Sequence, residues 1–391
     1  MRLSISRDQL LKPLQQVAGV VERKHTMPIL ANVLLRVKQD EISFTGTDLE
    51  VELVATQKLN ADQLAEIGEI TIPCRKLLDI CKSLPSGASI DLTLDEQKLV
   101  IKSGRSRFSL ATLPARDFPS LEDDAGAFSL NISQRNLKRL IEKTSFAMAQ
   151  QDVRYYLTGM LFEVSTNQLR TVTTDGHRLA LFDAVAEAET NEKIQVIVPR
   201  KGVQELQRLL NDDDSALHLT FGNNHLQVTL PITTGKKKDD EVVIEGLVSF
   251  TSKLIDGKFP DYQRVLPRGG DKIVLVSHED CRQALQRAAI LTNEKYKGVR
   301  FLLKNNELCI QANNPEQEEA REELAIEYTG DELEIAFNVQ YLLDVLGVLE
   351  GTNTKLILSD SNASILVQET DSQDAVYVVM PMRLRCCESL R

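Results

Sequence analysis

The apolar positions of this chain follow one helical spacing, and they do so six times. After Ser6, Ser133 and Ser277 the residues four, eight and eleven positions on are apolar or small: Leu10, Leu14 and Val17; Leu137, Ile141 and Thr144; Cys281, Leu285 and Ala288. Each serine is an N-cap residue type ahead of an apolar stripe, so a helix is predicted at each place. A second set starts at Pro73, Pro199 and Asn338, with apolar residues four, seven and eleven positions on: Leu77, Ile80 and Leu84; Val203, Leu206 and Leu210; Leu342, Val345 and Leu349. Within a copy the two starts lie 67, 66 and 61 residues apart. One supersecondary unit is thus used six times, in three copies. Pro13 falls inside the first helix and is expected to kink or shorten it, at about 3 kcal/mol in a straight helix.

Between the helices the pattern turns to β. Glu41–Thr45, Val51–Ala55, Ser89–Leu94, Lys98–Lys102 and Arg107–Leu113 read as strands of the first copy. Met160–Val164, Leu169–Thr173, Ala216–Phe221 and His225–Thr229 do so in the second, with Gly222-Asn223-Asn224 as a hairpin turn. Each copy is therefore an α+β module of two helices and about eight strands. At 391 residues the chain is too long for one ordinary core. Phe118-Pro119 and Phe259-Pro260 punctuate the first two copies, and Glu122–Asp124 and Pro267–Asp271 read as linkers. Domains are expected at 1–125, 126–268 and 269–391. Most of the middle module's extra length lies in Pro231–Glu245, which reads as a lengthened hairpin with a charged tip, Gly235–Asp240.

Composition removes several classes. No apolar run reaches the roughly 18 residues of a membrane span, and the N-terminus MRLSISRDQLLKP lacks a signal-peptide hydrophobic region. Six cysteines without a C-x-x-C pair make neither a disulfide scaffold nor a zinc site, and Cys74 and Cys81 suit packing. A cytoplasmic protein without metal or cofactor is expected, with no membrane partner. The one constellation that tempts an enzymatic reading is Asp175-Gly176-His177, and no nucleophile elbow or phosphate loop accompanies it.

Net charge is −11, which opposes general nucleic-acid binding. Its distribution points the other way. The twelve residues from each of the six helix starts carry 14 lysines and arginines against 7 aspartates and glutamates. Solvated helix faces would account for that, and so would a shared basic surface. Like units related by near-equal rotations favour closure. Two chains closed head to tail would present twelve helices. At about 10 Å per helix these line a circumference of ~120 Å and leave a hole of about 28 Å, wide enough for a duplex held through its phosphates.

Several stretches carry a family resemblance: Thr45-Gly-Thr-Asp48, Ser103-Gly-Arg-Ser-Arg-Phe-Ser109, Gln151-Asp-Val-Arg-Tyr-Tyr156, Thr174-Asp-Gly-His-Arg-Leu179, Phe259-Pro-Asp-Tyr262, Ala312-Asn-Asn-Pro-Glu-Gln-Glu-Glu319 and Val378-Val-Met-Pro-Met-Arg-Leu384. In this order they resemble the bacterial replicative sliding clamp, the beta subunit of DNA polymerase III, over residues 1–384 apart from the insertion. The resemblance implies the DNA clamp fold and a head-to-tail homodimeric ring with helices lining the hole. It implies a non-catalytic processivity subunit that encircles double-stranded DNA without reading its sequence. The implied partners are the replicative polymerase catalytic subunit, an ATP-driven clamp loader, and other polymerases and repair proteins, which dock through short linear peptides with a glutamine and hydrophobic anchors. The alternative is a non-ring protein-interaction scaffold.

Carried over by motif, the peptide pocket comprises Leu157, Thr174, Gly176, His177, Arg178, Leu179, Pro260, Arg264 and Val265, with Asn338, Tyr341, Ser364, Val378, Met380, Pro381, Met382 and Arg383. Met380 and Met382 are adaptable fillers suited to many anchors; without the resemblance they read as core. The DNA-contacting set is Lys24, Gln151, Arg154, Tyr155 and Tyr156, joined by the basic helix openers Arg200 and Lys201. Tyr155 and Tyr156 could stack on exposed bases, or one could close a core edge. The implied dimer contact pairs Lys76, Arg105, Arg107 and Phe108 with Ile290, Leu291, Glu316, Glu318, Glu319 and Glu322. Taken alone, that acidic segment reads as a solvated loop. The family ends near Leu384, so Arg385–Arg391 are an addition beside the pocket that could cover it or stay clear. Lys236–Lys238 could touch DNA or a loader, or be a solvated hairpin tip.

Overall fold

The computed structural model describes residues 1–22, 27–59, 65–121, 128–190, 192–238, 241–267 and 269–383. Of 233–238 and 241–245 the backbone alone is described. Lys24, Glu122–Asp124, Arg268 in the second linker, the hairpin-tip residues Asp239 and Asp240, and the tail 385–391 lie outside the described residues.

Helices start at all six expected places: α1 (Arg7–Val17), α2 (Cys74–Ser83), α3 (Gln134–Thr144), α4 (Arg200–Leu209), α5 (His278–Ala289) and α6 (Val339–Leu346). The reason is local. Ser6 accepts the Gln9 N–H at 3.3 Å, Ser277 that of Asp280 at 3.4 Å, and Asn338 that of Gln340 at 2.9 Å, each quenching a donor without an intrahelical partner. One expectation is corrected. Pro13 does not shorten α1, which runs eleven residues through to Val17. The proline ring is buried with Leu10, Leu14 and Val17, and this packing offsets the one intrahelical hydrogen bond that a residue without an N–H forgoes.

The first copy holds β1 (Arg2–Ser6), β2 (Asn32–Val37), β3 (Glu41–Thr47), β4 (Val51–Lys58), β5 (Ala65–Glu66), β6 (Gly68–Pro73), β7 (Ser89–Asp95), β8 (Lys98–Ser103) and β9 (Ser106–Ala111). The second holds β10 (Phe128–Ser133), β11 (Gly159–Ser165), β12 (Gln168–Thr174), β13 (Arg178–Val185), β14 (Ile194–Pro199), β15 (Ala216–Phe221), β16 (His225–Lys238) and β17 (Glu241–Lys253). The third holds β18 (Lys272–Ser277), β19 (Gly298–Lys304), β20 (Glu307–Asn313), β21 (Glu319–Ala325), β22 (Leu333–Asn338), β23 (Asn353–Leu358), β24 (Ile365–Glu369) and β25 (Ala375–Val379). The lengthened hairpin is present as β16 and β17, paired out to Lys238 opposite Glu241.

The chain falls into two compact units. The first comprises Met1–Arg135, Ala186–Ala188 and Val198–Leu254; the second comprises Asn136–Val185, Glu189–Ile197 and Ile255–Arg391. The first unit contains a five-stranded sheet, β5-β1-β7-β8-β9, and an eight-stranded sheet, β10-β15-β16-β17-β4-β3-β2-β6. In the second, the eight-stranded sheet runs β14-β11-β12-β13-β25-β24-β23-β18 and a four-stranded sheet runs β21-β20-β19-β22. Each eight-stranded sheet is thus a seam between copies. At β4–β17 Phe250 lies opposite Leu53, and at β13–β25 Tyr377 lies opposite Ala180. Gly246 sits in the first seam because a Cβ there would stand 2.2 Å from the Thr56 carbonyl oxygen. β9 and β21 end their sheets.

In the second unit α3 is tied to the segment after α6 by Lys143. Its side chain is almost fully buried, donates to the Val348 carbonyl, and lies 2.9 Å from Glu350 and 3.7 Å from Glu369. Lys143→Met leaves Glu369 without its counter-charge inside the protein, a loss of roughly 2 kcal/mol. The thermal transition of the variant is expected several degrees below that of the parent chain; an unchanged transition would show the buried ammonium to be dispensable.

Candidate functional site

In the second unit one turn joins several of the expected pocket residues. Between β12 and β13 the Thr174 hydroxyl donates to the Arg178 carbonyl at 2.6 Å and accepts the Gly176 N–H at 3.1 Å. Asp175 accepts the N–H groups of His177 and Arg178 at 2.9 and 3.0 Å, while its second oxygen holds the Arg178 guanidinium at 3.1 Å. Gly176 has φ +88°, a conformation only glycine adopts without strain, and a Cβ there would meet the Arg154 guanidinium at 3.1 Å. Arg178 also pairs with Asp344 of α6, donates to the Phe146 carbonyl at 2.9 Å, and lies 4.6 Å from the centre of the Tyr341 ring. His177 stacks on Tyr341 at 6.2 Å. The Met380 N–H closes the frame on the His177 carbonyl at 2.9 Å.

Around this turn lies an apolar floor with an exposed rim. Leu157, Leu179 and Val378 are buried in one core cluster with Phe259 and Tyr262. Leu179 lies directly opposite Val378 across β13–β25. Met380 and Val265 are large apolar side chains left 39% and 38% exposed at the rim. Arg264, Val265 and Ser364 line a recess of about 690 Å³, to which Leu266, Pro267, Ser359 and Ala363 also contribute. Those four were not among the expected residues, and nothing in their sequence spacing marks them. Met382 and Arg383 line a different recess, of about 740 Å³, with Tyr296 in the turn before β19 and Arg300 and Arg321 on the four-stranded sheet. Pro260 is exposed, and Asn338 caps α6.

The wall that carries Pro260, Arg264 and Val265 hangs from Tyr262. Its hydroxyl donates to Glu163 at 2.7 Å and accepts from Arg170 at 3.2 Å. Arg170 in turn grips Asp183 through two bonds of 2.6 and 2.7 Å. Glu163 also accepts from Gln195 at 2.6 Å and faces Lys193 at 2.8 Å. Burial alone would raise the Glu163 pKa, but the bonds from Lys193, Tyr262 and Gln195 outweigh it and hold the carboxyl below its ordinary value.

The remaining expected residues divide. Tyr155 is exposed while Tyr156 packs against the core cluster, so the two adjacent rings, 5.9 Å apart, have different surroundings. Arg154 binds Asp152 at 2.7 and 3.0 Å, which drags the Asp152 pKa to about 2, and reaches the Asp175 carbonyl at 3.4 Å. Gln151 is exposed. In the first unit Lys201 is held between Glu22, at 2.5 Å, and Asp48, and Arg200 is half-buried beside it. Lys76, Arg105 and Arg107 are exposed and Phe108 is half-buried on β9. In the second unit Ile290 is 76% exposed, Leu291 is half-buried, and Glu316, Glu318 and Glu319 are exposed ahead of and at the start of β21. Glu322 is engaged within its own unit by Arg287 at 2.6 and 3.0 Å.

Three family models match consecutive segments. They describe the N-terminal domain of the DNA polymerase III beta subunit over residues 1–122, its central domain over 131–261 and its C-terminal domain over 263–383. The chain belongs to the DNA polymerase III beta subunit family. It is 57% identical over 384 residues to the beta sliding clamp of Pseudomonas putida, across 98% of this chain and all of that one. Over the same shares it is 49% identical to the beta sliding clamp of Escherichia coli K12. The crystal structure of the DNA polymerase III subunit beta from Pseudomonas aeruginosa matches with a TM-score of 0.92 at 56% identity, across 98% of this chain and all of that one. Its function is that of a DNA sliding clamp, a processivity factor of replication rather than an enzyme.

Gly176→Ala places a Cβ in the left-handed region against Arg154, at a cost of about 1–2 kcal/mol. A lowered thermal transition is expected, and a transition equal to the parent's would mean that the turn relaxes freely. Glu163 titrates with a definite sign. Its native pKa is depressed, so the stability it contributes is present above its ordinary value of 4.5 and is lost as pH falls through the lower native value. Glu163→Gln should therefore flatten the acid limb of the stability–pH curve, and an identical limb would refute the assignment.

Proposed function

We propose that two copies of this chain close head to tail into a ring around duplex DNA, and that the cleft of the second unit receives short hydrophobic peptides from the polymerase and other replication proteins. The observation that carries the ring is the repetition of the seam. Leu113, Ile255 and Met382 each donate their N–H to the residue two positions ahead of a second-helix start, namely Thr71, Ile197 and Ala336, at 3.3, 2.8 and 2.7 Å. Five residues before them stand Phe108, Phe250 and Tyr377, aromatic in every copy. Phe250 faces Leu53 and Tyr377 faces Ala180 across the two internal seams. The equivalent of those two small or aliphatic residues in the third copy is Ala320, which pairs with Ala312 as Leu53 pairs with Gly46 and Ala180 with Thr173. β9 and β21 would therefore meet with Phe108 opposite Ala320 of a second copy.

Charge supports the same pairing. Arg105 precedes one strand and Arg107 lies in it, while Glu316, Glu318 and Glu319 lead into the other, so opposite signs select the partner and disfavour like strands. Tyr377 has no partner for its buried hydroxyl among the described residues, so its aromatic ring alone satisfies this position, as phenylalanine does in the other copies. Within the closed ring, exposed Tyr155 and Gln151 are offered to the nucleic acid. Lys201 and Arg154, both ion-paired, act through the loops they hold. Among the described residues no helix is long and apolar enough to cross a membrane, and the cytoplasm is the compartment in which this function operates.

The test is topological. Loaded by a clamp loader and ATP, the protein should persist on nicked circular DNA and leave once the circle is cut. Phe108→Asp should sediment as a monomer and persist on neither form. Equal loss of the parent chain from circular and linear DNA, or a monomer at micromolar concentration, would favour a scaffold instead. Met380→Asp, which puts a charge on the apolar rim, should weaken binding of a labelled glutamine–leucine–phenylalanine peptide at least about tenfold; full affinity would move the peptide site elsewhere.

A further inference from the structure

The internal repeat provides a built-in control for the cleft. The turn at Thr174-Asp175 recurs at Thr47-Asp48, 127 residues earlier, in its four bonds between side chain and backbone, with Leu49 at φ +78° in the place of Gly176 and Val51 in that of Arg178. Thr47 donates to the Val51 carbonyl at 2.9 Å and accepts the Leu49 N–H at 3.0 Å, while Asp48 accepts from Glu50 and Val51 at 2.9 and 2.7 Å. The Lys253 N–H closes on the Glu50 carbonyl at 2.8 Å, as Met380 closes on His177. The first unit thus repeats the scaffold of the cleft and part of its apolar floor, with Leu30 and Phe118 where the second unit has Leu157 and Phe259, but not the rest of its apolar lining. Glu52 stands where the second unit has Leu179, and Lys253 where it has Met380.

The polar network behind the cleft wall follows the same division. At the positions of Glu163, Arg170 and Asp183, the first unit carries Arg36, Ser43 and Thr56, and Leu121 follows its Phe-Pro pair where Tyr262 follows the other. The network is present in the copy that bears the cleft and missing from the copy that has its scaffold without the full lining. A requirement of the fold itself would appear in both.

We propose that Tyr262 is a positioning residue for peptide binding, holding the cleft wall through Glu163 and Arg170; this rests on the reading of the second unit's cleft as the peptide site. Tyr262 is 4% exposed and Glu163 3%. Tyr262 opens a single 3-10 turn, Tyr262–Arg264, and its carbonyl accepts the Val265 N–H at 3.0 Å. The hydroxyl end is fixed to β11 and β12, so the backbone end sets where Val265 stands on the rim. Without the hydroxyl bond the ring stays packed, but the turn gains freedom to rotate about it. A peptide would then have to order that wall on binding, which reduces affinity without touching any contact residue.

The experiment compares the full-length chain with Tyr262→Phe, Glu163→Gln and the rim variant Met380→Asp. The probe is the labelled glutamine–leucine–phenylalanine peptide followed by anisotropy, with amide hydrogen exchange at Val265 in parallel. Tyr262→Phe and Glu163→Gln should each weaken the peptide about fivefold, with dimer mass unchanged and faster exchange at Val265. A purely structural role would lower the thermal transition and leave affinity at 20 °C, roughly room temperature, where it was; that result overturns the proposal. Unchanged exchange at Val265 overturns it equally. If the parent chain itself fails to bind the peptide, the cleft reading falls, while the exchange at Val265 still decides whether Tyr262 holds the wall. Should Tyr262→Phe fail to fold, Glu163→Gln, which keeps the size but replaces one accepting oxygen and the charge by an amide donor, decides the question in the same way.

Discussion

The backbone of an edge strand is open to pairing with another strand, and the way this molecule uses equivalent edges organises it. A sheet edge exposes a row of N–H and C=O groups that will pair with whatever backbone is offered. Here two such edges are consumed inside the chain, where β17 continues onto β4 and β25 onto β13. The copies are therefore joined by shared sheets and not merely strung on linkers. Two edges of the same kind, β9 and β21, are left at the ends of their sheets. They differ in sequence in the way a head differs from a tail, one basic with a half-buried phenylalanine, the other approached by glutamates beside an exposed isoleucine. A joint between unlike surfaces either closes into a ring or continues without end.

The same seams create the cleft. β13 and β25 bring Leu179 against Val378, and the turn before β13 is braced by Asp175, Arg178 and Asp344. Rigid backbone bonds define this frame, while its rim consists of Met380 and Val265, one flexible and one on a short turn. That combination of fixed floor and adaptable edge suits a surface which must accept many peptides with a few shared anchors. The first unit has the frame with charged residues at the matching positions, so the difference between the proposed peptide surface and a plain seam lies in a handful of side chains.

Much of this was legible in the chain, and the division is physical. Helix starts were readable because capping is local: Ser6, Ser277 and Asn338 act on N–H groups two or three residues away. The hairpin extension was readable because period-two patterning is local as well. Pro13 misled because its cost is local while its compensation, burial among Leu10, Leu14 and Val17, is tertiary. Seam pairings were not legible, since β4 meets β17 across some two hundred residues. Nor were the ion pairs that occupy Arg154, Lys201 and Glu322, because a charge in sequence shows no partner until the fold supplies one. Tyr262 lay in a recognised motif, Phe259-Pro-Asp-Tyr262, yet its bonds to Glu163 and Arg170 depend on three neighbouring strands.

If two copies close into a ring, the joint between them repeats the joints within the chain. Cysteines at Phe108 and Ala320 test this directly, because residues directly opposite across antiparallel strands lie about 4.5–5.5 Å apart at Cα, within disulfide range. Oxidation of the double variant should give one product of twice the chain mass that stays on circular DNA through detergent denaturation and is freed by cutting the circle. A ladder of ever longer oligomers, or monomer alone, would contradict the closed ring and the register on which it depends.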